Sequence, residues 1–126
     1  MLDSGKITDF KQLDVWQVGR KLAVAVYTAT ASFPNHERYG LAGQMQRAAV
    51  SIPSNIAEGY GRGSRPQYLH ALQIARGSLA ELETQFIIAQ YLALIKDAQS
   101  LRELISMEYR LLHGLIRSLT SNTKPS

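Results

Sequence analysis

Cysteine is absent from the 126 residues. That excludes disulfides, thiolate catalysis and cysteine-ligated zinc. Proline is scarce, at four residues, and charged side chains make up only 19% of the chain. No long hydrophobic run exists either. The longest charge-free stretch, residues 22–35, falls short of the ~20 residues that span a bilayer and contains Thr, Ser and Pro. Residues 1–9 are polar and lack the apolar centre of a signal peptide. These absences set the expectation of a soluble cytoplasmic protein with no membrane association. Strand-length alternation and hairpin turn signals are missing as well, so the fold class is all-α.

What is present is helical periodicity in a chain with 45% hydrophobic residues, enough for one domain with its own core. Helix one is expected from Asp14 to Ser32, with Asp14 and Gln17 forming a capping box. Val15, Val18, Leu22, Val26 and Ala29 widen its apolar stripe. Helix two is expected from about Arg38 to Glu58 or Tyr60, with Gly59, Gly61 and Gly63 as breakers. Ser64 and Gln67 form a second capping-box pattern, with Pro66 tolerated in the first turn of helix three. Helix three should reach Leu94, its seam running Leu72, Ala75, Leu79, Leu82, Phe86, Ala89, Ala93. That is the 3.5-residue repeat of a left-handed bundle. Helix four should begin at Asp97 and carry Leu101, Leu104, Glu108, Leu111, Leu115 and Leu119. Short connections then dictate one domain, an up-down-up-down antiparallel four-helix bundle. Residues 1–12 and 120–126 are expected to be flexible ends.

The most informative stretch is Arg47 to Gly59. Met45, Ala49, Ile52 and Ile56 form one apolar face, while Gln44, Arg47, Ser51, Ser54 and Glu58 form a polar one. Pro53 deletes a backbone hydrogen bond and crowds the carbonyl of Ala49, at a cost of roughly 3 kcal/mol if nothing absorbs it. A bend at Pro53 is therefore expected. The polar residues Arg47, Ser51, Ser54, Asn55 and Glu58 are expected to form a structural network with Glu81 and Glu83 of helix three, partly satisfying carbonyls that Pro53 frees. An exposed binding surface or a subunit contact is the alternative.

Arg47 to Gly59, with Ala75 to Gln85 downstream and Leu13 to Gln17 upstream, resembles the four-helix-bundle family of 23S rRNA-intervening-sequence proteins. The accessory variability protein of diversity-generating retroelements is similar to the same family. The resemblance runs from about Phe10 to about Ile95. It implies an up-down bundle, often a ring-shaped homopentamer, with no known enzymatic activity. In the retroelement relatives it implies binding to a reverse transcriptase and to nucleic acid.

Chemistry-bearing patterns are otherwise thin. A di-iron bundle needs Glu-x-x-His on two helices, and no glutamate here has histidine three residues later. His36, His70 and His113 are scattered, so solvated or packed histidines are the plain reading and no metal or cofactor is expected. Gly59 to Ser64 is rich in glycine but lacks the Gly-Lys-Ser/Thr ending and the preceding strand of a phosphate loop. An inter-helix turn is the plain reading, although a phosphate could dock at the start of helix three beside Arg62 and Arg65. No nucleophile–base pair can be assembled, so no catalytic residues are expected. Tyr68 and Tyr91 fit packing better than base stacking, whereas Tyr60 stays open between the two.

Net charge is +4, spread along the chain with no basic block. A cationic surface must be assembled by folding or by symmetry. Arg20, Lys21, Arg47, Arg62, Arg65 and Arg76 are the candidate contacts for RNA or DNA. Ile87, Ile88, Tyr91 and Leu94 lie off the helix-three seam and are the candidate subunit interface. The expectation is a non-enzymatic homo-oligomeric interaction module. Its partner is nucleic acid or a nucleic-acid-handling protein. The alternative is a protein-only assembly factor whose basic charge is incidental.

Overall fold

A computed structural model describes residues 7–121. Four helices, α1 (Asp14–Thr30), α2 (Leu41–Gly61), α3 (Arg65–Tyr91) and α4 (Gln99–Ser121), form the bundle. Short 3-10 turns at Phe10–Gln12 and Asn35–Glu37 precede α1 and α2, and no strand occurs among the described residues. Neighbours in sequence are neighbours in space. α1 packs on α2 and α4, and α3 packs on α2 and α4, while the diagonal pairs stay apart. The up-down-up-down order leaves no alternative for connections this short.

One continuous core joins Leu22, Val26, Met45, Ile52, Ile56, Leu72, Leu79, Leu82 and Leu112, all fully buried. The α3 seam is buried from Leu72 to Ala89, as its spacing dictates. Ala93 is not part of it. It lies past the end of α3 with φ +58°, donating its N–H to the carbonyl of Gln90 while Leu94 donates to Ala89. This pair of bonds is a Schellman stop, built on alanine where glycine is usual. It ends α3 three residues before the expected Leu94. On α4 the buried face is Leu101, Ile105, Glu108, Leu112, Ile116 and Leu119, and Leu104, Leu111 and Leu115 flank it.

Several boundaries differ from expectation for identifiable reasons. The box expected at Asp14 and Gln17 does not form. It forms one turn earlier, where Asp9 caps the 3-10 turn with Gln12, and Gln17 donates instead to the carbonyl of Lys11. α1 ends at Thr30 rather than Ser32. α2 starts at Leu41 rather than Arg38, because the Glu37 carboxylate accepts the Leu41 N–H at 3.0 Å. Asp97 likewise accepts from Gln99, so α4 begins two residues past it. Gly59 and Gly61 are helical, and only Gly63, with φ +80°, breaks the chain. Gly59 has another purpose: a Cβ there would run into the Ala71 methyl, so α2 and α3 touch at that point.

Residues 7–12, expected to be loose, are held by the Asp9 cap and by the Tyr60 hydroxyl, which donates to the Ile7 carbonyl at 3.1 Å. Thr120 and Ser121 belong to α4. The flexible ends expected at 1–6 and 122–126 lie outside the described residues. Pro53 sits inside α2 without ending it.

Candidate nucleic-acid interface

The alternating directions of the helices decide which charges share an end. The first halves of α1 and α3 and the second halves of α2 and α4 gather at one pole, closed by the turn at Gly63. Among the described residues eight bases lie in that half: Lys11, Arg20, Lys21, Arg62, Arg65, Arg76, Arg110 and Arg117. Three described acids oppose them, Asp9, Asp14 and Glu58. Asp9 is paired with Lys11 at 2.9 Å and Glu58 with Arg62 at 2.8 Å. The other half holds Arg38, Arg47, Lys96 and Arg102 against Glu37, Glu81, Glu83, Asp97 and Glu103, and the buried Glu108 lies near the middle, level with Gly19 and Pro53. A modest net charge thus becomes an axial gradient, and the field at the basic pole exceeds what the total suggests.

Five of the six bases nominated from the sequence share this pole. Arg47 does not. It lies in the other half of α2 and folds back along its own helix, its Nη1 3.2 Å from where a Cβ on Gly43 would stand. Arg20 lies over the Trp16 ring at 5.9 Å, and Arg62 is engaged with Glu58. At the start of α3 the Ser64 hydroxyl already accepts the Gln67 N–H, which removes one amide from any anion docking there.

The strongest convergence is on α3 and α4. Tyr109, Arg110, His113, Gly114 and Arg117 line an open depression of about 470 Å³, and Arg76 of α3 lines the adjoining hollow with His113 and Arg117. Arg110 donates to the Ser106 hydroxyl at 3.1 Å. Neither Arg76, Arg110 nor Arg117 has a carboxylate within ion-pair distance among the described residues. Tyr109 closes the acidic end of the groove. Burial and then the facing Glu83 push its hydroxyl up, and Arg76 pulls the other way. Arg110, His113 and Arg117 fall at i, i+3 and i+7, one helix face. That spacing is legible in the sequence but was not singled out there, because each base is isolated.

Residues 11–114 match the model of the 23S rRNA-intervening sequence protein family. The chain belongs to that family. The matched span runs from the first 3-10 turn through most of α4 and contains Arg76, Arg110 and His113, ending before Arg117. No curated protein matches the chain.

The polar network between α2 and α3 is smaller than expected and differently composed. The hydroxyls of Ser51 and Ser78 meet at 2.9 Å, and the Asn55 amide donates to the Ser51 carbonyl at 2.8 Å and to its hydroxyl at 3.0 Å. The carbonyl it reaches is therefore Ser51, not the Ala49 carbonyl that Pro53 deprives of a donor. Ser54 and Glu81 are exposed, Glu58 turns to Arg62, and Glu83 faces Tyr109. Ser78 is the member that the sequence did not reveal. Of the interface candidates, Ile87, Ile88 and Tyr91 are exposed at 43%, 45% and 89%, whereas Leu94 is half-buried against the core. Tyr68 is buried edge-on to Tyr60, and Tyr60 is spent on holding Ile7. No helix among the described residues is long and apolar enough to cross a membrane, and no three His, Asp or Glu side chains gather there to hold a metal.

Proposed function

We propose that this protein is a non-enzymatic RNA-binding bundle that grips the phosphate backbone with its basic pole, above all with the α3–α4 groove. The observation that carries it is the convergence of Arg76, Arg110, His113 and Arg117 on one open groove without carboxylate partners among the described residues. The family name points the same way, since its members are intervening sequence proteins of 23S rRNA. Contacts of this kind are electrostatic and tolerant of sequence. Copies of the chain associate through the exposed Ile87, Ile88 and Tyr91 of α3, which repeats the basic pole around the assembly.

The test is fluorescence anisotropy with labelled RNA over a salt series. The affinity of the full-length chain should fall linearly on a log–log plot, by roughly 0.7 to 0.9 per phosphate neutralised. Arg110→Gln with Arg117→Gln should flatten that slope, while Arg38→Gln with Arg47→Gln at the other pole should leave it. No binding at low salt would favour a protein-only assembly factor instead, and equal losses from both pairs would overturn the assignment to the basic pole. Sedimentation of wild type against Ile88→Glu checks the association separately.

A further inference from the structure

Glu108 takes no part in the basic pole, yet it is the most unusual side chain in the core. It is completely buried, and neither carboxyl oxygen has a hydrogen-bond partner among the described residues. Its Oε2 lies 2.8 Å from where a Cβ on Gly19 of α1 would stand. The same point is 3.4 Å from Ile52 Cγ2 and 3.5 Å from Pro53 Cβ of α2. Glycine at position 19 therefore provides the space into which α4 inserts a carboxyl group, at the junction of three helices. An ionised carboxylate left there without water or partner is prohibitively costly.

No charge answers it from any side. α1 and α2 present Gly19, Ile52 and Pro53, while Asp14, Arg20, Lys21, Arg47 and Glu58 are exposed. On α3, Arg76 and Glu83 act on Tyr109 rather than on Glu108. On α4 the residues one turn away, Leu104, Ile105, Leu111 and Leu112, are apolar. Burial alone pushes the Glu108 carboxyl up to about 8.

We propose that the bundle closes most favourably around a protonated Glu108, and that loss of this proton weakens the hold of α1 and α3 on α4, making α4 a proton-controlled element of the fold. The sign follows from linkage. Below about 4.5 the acid is neutral folded or unfolded, so it contributes no pH dependence. Between about 4.5 and about 8 only the unfolded chain gives up the proton, so the closed form weakens steadily as pH rises. Above about 8 the closed form ionises as well and the loss levels off, with α4 held most weakly there. α4 is suited to this because its contacts with α1 and α3 are less extensive than those between α2 and α3.

Urea unfolding followed by circular dichroism, between pH 5 and pH 9, tests the idea on wild type and Glu108→Gln. The folding equilibrium constant of wild type should drop by about tenfold per pH unit relative to Glu108→Gln, until the curve flattens near pH 8. Parallel curves for the two proteins would overturn it. Should Glu108→Gln fail to fold, carboxyl carbon NMR on wild type decides instead: a glutamate titrating near 8 supports the proposal, and every glutamate titrating in the ordinary range overturns it. Amide exchange at pH 8.5, corrected for intrinsic rates, should quicken in α4 first. Equal quickening in all four helices would overturn the weakened hold on α4.

Discussion

α3 has two long seams, and they treat polar residues in opposite ways. Toward α2, Ser51, Asn55 and Ser78 are half-buried and spend their hydrogen bonds on one another. Toward α4, Arg76, Arg110 and Arg117 border open space with no carboxylate in reach among the described residues. The first seam is close-packed, with α2 touching α3 at Gly59 and Ala71, and the second makes less extensive contact and opens into a hollow beside Arg76. Where helices approach closely, burial forces polar groups to pair. Where they splay, long cationic side chains keep their donors available to a ligand. Polar composition alone therefore does not separate the closed seam from the open one; the helix spacing does.

The largest effect expected from breaking this contrast is at Gly59. Gly59→Ala drives a methyl group into Ala71 and should cost about 1 to 3 kcal/mol as overpacking. Gly114→Ala, beside the groove, meets nothing within 4 Å and should gain about 0.5 to 1 kcal/mol from helix propensity. Opposite signs for the same substitution, read as denaturation midpoints, would establish that one seam is tight and the other open. Two losses of equal size would erase the distinction.

Next is the chemistry of the open seam. Arg110→Gln with Arg117→Gln should weaken RNA binding by about tenfold at moderate salt, as removal of two phosphate contacts implies. Stability should stay within about 0.5 kcal/mol, since both side chains are exposed. Ser51→Ala with Ser78→Ala should show the reverse, unchanged binding and a loss of about 1 kcal/mol for one internal hydrogen bond. Anisotropy and urea unfolding on the same two proteins separate the roles.

Much of this was legible in the residues. Apolar spacing located four helices, and the Ser64 cap located the start of α3. It also marked Leu72 to Ala89 as the core seam. The six nominated bases were chosen without knowing which end of the bundle each would occupy. Topology then gathered Arg20, Lys21, Arg62, Arg65 and Arg76 and left Arg47 behind. Arg110 and Arg117 escaped notice because a base on an amphipathic helix usually signals only its solvated face. Ser78 was hidden for a different reason. A single serine in an apolar repeat carries no sign of its partner until the register of α2 against α3 is known. Gly59 was misjudged as a breaker because glycine for close approach and glycine for a stop look identical in sequence.

The smallest expected effect concerns the end of α3, where sequence and structure disagree most sharply. Ala93 adopts φ +58° to make the stop that aims the chain toward α4. An L-residue there costs on the order of 1 kcal/mol, which glycine avoids while losing some of that gain to the greater freedom of its unfolded chain. Ala93→Gly should therefore stabilise the bundle by about 0.5 kcal/mol. Ala93→Val should do the reverse, because branching at Cβ opposes the left-handed region more strongly. If both variants matched wild type in urea midpoint, the turn would not hold its Schellman bonds in solution. The spacing of the α3–α4 groove would then need another determinant, with Leu94 against the core the first to examine.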